Sequence, residues 1–198
     1  MTIDGGRGLV YAGALAAEPA PVTAHARIVL EWADAIRKAR VLVEAQTAVP
    51  AGAADGVLAT GPEALREGAM GLAAGDADVQ AMRSASPHAL VVAPLGVAGA
   101  DGVWGPLAGL LEHVAADRAP IAVAVVEVAA GERLERLDAL RAERIVLRGP
   151  GALAAIEVAP ARAGLAIAVA AADVPVAKMA CARAVARRAY HPAGTARH

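Results

Sequence analysis

One order of features occurs twice in this chain. An apolar stretch at 40–49, a loop opened by Pro50, a second apolar stretch at 56–60 and an Ala-rich run at 63–73 form the first occurrence. The same order returns at 152–158, Pro160, 164–173 and 174–185. Duplication on this scale means two copies of one small domain, which constrains the fold more than any single motif. The predicted boundary falls near Arg118, giving a first domain at 1–118 and a second at 119–198 that ends in a short polar tail.

The first copy reads as a strand over 8–17, then a helix over 24–39 with Thr23 as a possible N-cap. Ile28, Trp32, Ile36 and Ala39 recur at spacings of three and four, which marks an amphipathic face. Strands over 40–49 and 56–60 follow, then a helix over 63–74 with Pro62 near its first turn. A strand over 88–94, a Gly-rich segment over 96–105 and a helix over 106–117 complete the copy. The second copy starts with a strand over 121–128. A helix over 132–147 follows, carried by Leu134, Leu137, Leu140 and Ile145 and stopped by Gly149-Pro150-Gly151. A strand from 152, a strand from 164 and a last helix from 174 close it. Each copy is thus β-α-β-β-α, and the predicted class is α+β, a sheet with helices packed on one face.

Composition narrows the partners. Of 198 residues, 57% are hydrophobic and 20% charged, with a net charge of -1. A near-neutral chain without basic stripes or stacking aromatics predicts no nucleic-acid binding. Only two Trp and two Tyr occur and no Phe, so a core of Ala, Val and Leu buries little area per residue, and subunit contacts are expected to add stability. The lone Cys181 excludes an internal disulfide and reads as a small buried hydrophobe. The N-terminus lacks a secretory apolar core and no charge-free apolar run reaches ~20 residues, which predicts a cytoplasmic protein without a membrane span.

The doubled β-α-β-β-α order, with Trp32-Ala-Asp-Ala-Ile-Arg-Lys38-Ala-Arg-Val-Leu-Val43 at the first helix–strand junction, resembles the tandem-domain shell proteins of bacterial microcompartments, the BMC family. The resemblance implies a structural, non-enzymatic tile. Three chains would form a pseudohexagon that meets other shell proteins and passes metabolites through a central pore. It places Val49, Pro50, Ala51 and Gly52 of one loop, and Pro160, Ala161, Arg162 and Ala163 of the other, around that pore. Three Arg162 side chains near one axis would favour anions. It places Lys38 and Arg148 at the tile edge, where the alternative reading is a cation at a helix C-terminus. Some tandem members hold an iron–sulfur cluster through a Cys before the loop proline. Val49 and Ala159 stand there, so no cluster or other cofactor is expected.

Chemical motifs are sparse. The five histidines show no metal-ligand spacing, and no Gly-x-Ser-x-Gly elbow is present. The alternative to a shell tile is a small α/β nucleotide-binding enzyme. It would use the Gly96–Gly105 loop, with Gly96, Gly99 and Gly102 spaced by three, as a strand–loop–helix phosphate cradle.

Overall fold

Eight short apolar runs, three to seven residues long, become the strands of one closed parallel barrel in a computed structural model of the chain. The structure describes residues 2–4, 9–11, 24–48, 54–97, 101–117, 120–159 and 162–190. An antiparallel pair, β1 (Thr2–Asp4) and β2 (Leu9–Tyr11), stands apart from the barrel sheet. The barrel strands are β3 (Arg40–Ala45), β4 (Gly56–Ala59), β5 (Met70–Leu72), β6 (Leu90–Pro94), β7 (Gly102–Pro106), β8 (Ile121–Glu127), β9 (Ala142–Arg148) and β10 (Leu165–Val169). Each pairs in parallel with the next, and β10 closes on β3 with Ile167 opposite Val41.

The outer ring is incomplete. Helix α1 (Ala24–Ile36) precedes β3, α2 (Asp76–Ala85) joins β5 to β6, and α3 (Leu107–Asp117) joins β7 to β8. Helix α4 (Ala152–Val158) joins β9 to β10, and α5 (Val174–Tyr190) follows β10. Among the described residues, the β4–β5 and β8–β9 crossovers carry only single 3-10 turns, Pro62–Ala64 and Leu137–Ala139.

Strand alternation divides the core in two. Leu42, Leu58, Leu72, Val92, Val125 and Val146 pack with their neighbours inside the barrel. Val41, Val43, Ile145, Leu147 and Ile167 face outward onto Leu110, Leu137, Ile156 and Ala177. Burial on both faces explains why these strands read as continuous apolar runs without alternation.

This architecture overturns the predicted class. In place of two tandem β-α-β-β-α domains, the chain forms a TIM-like barrel, in which β7 and β8 pair across the expected boundary near Arg118 and β3 pairs with β10. The apparent repeat aligns a strand with a helix: 40–45 is β3, whereas its counterpart at 152–158 is α4. The helix expected over 63–74 is a 3-10 turn and then β5. That expected over 132–147 is a 3-10 turn and then β9. Short apolar runs carry no period that separates a buried strand from a buried helix, and an Ala-rich chain makes such runs everywhere. Thr23 and most of the expected 8–17 strand lie outside the described residues.

A polar latch fastens α1 and α5 beneath the barrel. Arg37 donates to both carboxylate oxygens of Asp55, at 2.5 and 2.6 Å, and to Asp34 at 2.6 Å. Asp55 also accepts from the Val41 amide at 2.7 Å, and Lys178 of α5 donates to Asp34 at 2.8 Å. Burial pushes the Asp55 carboxyl up, but the hydrogen bonds from Arg37 and Val41 outweigh it and hold the group below its ordinary value of 3.8. A carboxylate depressed in the folded state adds stability above its unfolded value and loses it as pH falls through the folded one. Asp55→Asn is therefore expected to cost about 1–3 kcal/mol at neutral pH. The gap from wild type should narrow below pH 3.8. Urea unfolding at both pH values checks this, and a gap that stays constant with pH would contradict the assignment.

Candidate functional site at the C-terminal mouth of the barrel

Three strands carry a charge at or next to their C-terminal residue. Glu44 follows Leu42 on the inward face of β3, Glu127 follows Val125 on β8, and Arg148 follows Val146 on β9. The β8–β9 register sets Glu127 directly opposite Arg148. Glu44 lies two strands from Arg148, with β10 between them. Leu147 pairs with Ile167 and Leu42 with Ala168, so the inward residue of β10 at this level is Ala168. Its methyl group leaves room for a guanidinium to pass over β10.

Arg148 spans the gap. Its Nη1 donates to Glu127 Oε1 at 2.6 Å, its Nη2 to Glu44 Oε1 at 2.6 Å and its Nε to Glu44 Oε2 at 3.1 Å. The Glu44 contact is the two-pronged fork that suits a planar guanidinium, whereas a lysine would hold one oxygen at a time. All three side chains are under a third exposed, at 21% for Arg148, 28% for Glu44 and 31% for Glu127. They are shielded enough for charge to matter yet open to a ligand. Among the described residues, Glu127 Oε2 accepts no hydrogen bond. Trp104 of β7 packs on the interior cluster and donates from Nε1 to the Ala73 carbonyl at 2.8 Å, bridging the ends of β5 and β7.

Turn chemistry holds the pair in register. After Arg148 the chain reverses through Gly149, at φ +98°, and Pro150 to Gly151. The Val128 amide donates to the Arg148 carbonyl at 2.8 Å and the Gly151 amide to the Val128 carbonyl at 3.0 Å. The two loops approach so closely that a β-carbon on Gly151 would lie 2.0 Å from the Ala129 carbonyl oxygen.

The residues singled out from sequence are dispersed. Val49, Pro50, Ala51, Gly52, Pro160 and Ala161 lie outside the described residues. Arg162 sits at the opposite, N-terminal end of the barrel, donating to the Ala142 carbonyl at 2.6 Å and the Leu137 carbonyl at 3.5 Å, with Ala163 exposed beside it. Lys38 and Arg162 border a cavity of about 510 Å³ there, whose lining includes Cys181. Arg148 lies at the other end, so the structure does not bring Lys38 and Arg148 to equivalent edges. Gly96 and Gly102 join two strands, β6 and β7, with 98–100 outside the described residues. The expected strand–loop–helix phosphate cradle does not form, because no helix N-terminus follows Gly102 until β7 has crossed the barrel.

Burial pushes the Cys181 thiol up to about 11. The side chain is 1% exposed. Reaction with a disulfide reagent at mildly alkaline pH is expected only upon unfolding, so labelling should follow the urea transition. Rapid stoichiometric labelling of the native protein would refute that burial.

Neither Glu44 nor Glu127 stood out in the sequence, although a signal existed: each is a carboxylate that directly follows an apolar β run. Among the described residues no three His, Cys, Asp or Glu side chains gather as a metal site, and no helix is long and apolar enough to cross a membrane. No family model, curated protein or solved structure matches this chain.

Proposed function

We propose that this chain binds and chemically acts on a small polar ligand at the C-terminal mouth of its barrel. One observation carries the reading: Arg148 is clamped between Glu44 and Glu127 where inward-facing strand ends converge, the end at which barrels of this architecture build their sites. The three groups carry a net charge of minus one, which favours a neutral or cationic ligand over a phosphate. The Oε2 of Glu127, which accepts no hydrogen bond among the described residues, supplies a proton acceptor. The Arg148 donors not used by the two carboxylates can orient a ligand oxygen beside it. Glu44 positions Arg148 and stays out of the chemistry.

A shell tile drew its pore and its edges from a tandem BMC domain, and the described residues form a single parallel barrel in its place. The direct test is a thermal-shift screen of small polyols, amines, carbonyl compounds and divalent cations on wild type and on Glu127→Gln. The expected result is a stabilising compound whose dissociation constant rises tenfold or more in the variant, for about 1.5–3 kcal/mol of a charged hydrogen bond. A screen without hits, or hits indifferent to Glu127→Gln, would remove the mouth as the site.

A further inference from the structure

The amphipathic face read from α1 does not face the barrel. Ala33 is buried, while Ile28 is 46%, Trp32 68% and Ile36 49% exposed. Val29 of α1 and Val176 of α5 extend the same patch, at 40% and 52%. These five side chains leave roughly 500 Å² in water, at the upper end for the largest apolar patch of a stable monomer. Beside the Trp32 ridge runs a groove of about 520 Å³ between α1 and α5, lined by Val29, Leu30, Pro175, Val176 and Met179 with Arg183 at its border.

We infer that this face is the interface of a two-fold dimer of the chain. A protruding tryptophan and an apolar groove on one face are what a two-fold axis requires, since each copy offers a ridge where its partner offers a groove. Pairing two patches buries roughly 1,000 Å² from these side chains alone, the lower bound for a specific interface before any polar rim is added. Tryptophan at the centre of such a patch is the residue type that dominates association. A lipid surface is the poorer occupant. The polar side of α1 carries Arg27 against Glu31 and Asp34, and the α5 cations Lys178, Arg183 and Arg187 are held in ion pairs with Asp34 and Glu157, unlike the unpaired basic face that membrane-surface helices use. The dimer does not depend on the function proposed for the mouth.

The test is native mass by light scattering at micromolar concentration for wild type, Trp32→Asp and Val176→Asp. Both positions are at the surface, and far-UV circular dichroism checks that the variants fold. The expected result is two chains of 19.7 kDa for wild type and one for each variant, with a dissociation constant raised at least about a hundredfold. A second readout uses Trp104→Phe, which leaves Trp32 as the sole tryptophan, whose emission should shift to the red as the dimer is diluted. A single-chain wild-type mass, an assembly of any other number of chains, or a dimer that survives Trp32→Asp overturns the proposal.

Discussion

Gly151→Ala is expected to abolish or severely weaken folding. The added methyl would lie 2.0 Å from the Ala129 carbonyl oxygen and 2.9 Å from a Val128 methyl, and the first of these is backbone that no rotamer change can clear. Relief requires the β8–β9 loops to separate. That breaks the hydrogen bond from the Gly151 amide to the Val128 carbonyl and strains the one from the Val128 amide to the Arg148 carbonyl. The expected loss is about 4 kcal/mol or more, in the range reserved for backbone clashes and broken buried networks. Equilibrium urea unfolding measures it. A control at Gly75, where nothing lies within 4 Å of an added β-carbon and the backbone is extended, should cost far less as Gly75→Ala. Equal effects at the two glycines would show that the close approach is not what Gly151 serves.

Arg148→Met should be the second most damaging change, and the one that bears on function. It leaves two carboxylates across β9 and β10 without the guanidinium that joins them, at a mouth where both are less than a third exposed. Removing one partner of a shielded charge network costs more than the network contributed, so a loss of about 2–4 kcal/mol is expected. Replacing all three groups, as Arg148→Met with Glu44→Gln and Glu127→Gln, should recover most of that stability while leaving ligand binding absent. Recovered stability without recovered binding separates a functional clamp from a structural one. A triple variant that binds the same compounds as wild type would show that the mouth charges serve folding alone.

Much of the element list was legible along the chain. The helix from Ala24, the strands near Arg40, Gly56, Leu90, Ile121 and Leu165, and the helices from Leu107 and Val174 stand close to where apolar patterning and breakers put them. Two signals misled. Val41-Leu-Val and Ala152-Leu-Ala-Ala-Ile look alike as sequences, yet one is strand and the other helix. The stripe of Ile28, Trp32 and Ile36 marked an amphipathic face without saying what it meets, and α1 packs through Ala33 and the Arg37–Asp55 latch and leaves the stripe outside. Arg148 was singled out as an edge contact, and the structure engages it with Glu44 and Glu127, since an edge contact and an internal clamp both call for a long cation.

What the sequence determined by itself is local: where apolar runs begin and stop, which glycines end them, and that the chain carries little chemistry beyond isolated charges. Which strand lies beside which was decided only in three dimensions. Parallel pairing is non-local, and the register that sets Glu127 opposite Arg148 and brings Glu44 within reach over Ala168 joins residues far apart in the chain. A run buried on both faces carries no mark of its neighbours, so closure of the barrel, and with it the site, follows from packing eight such runs around one interior.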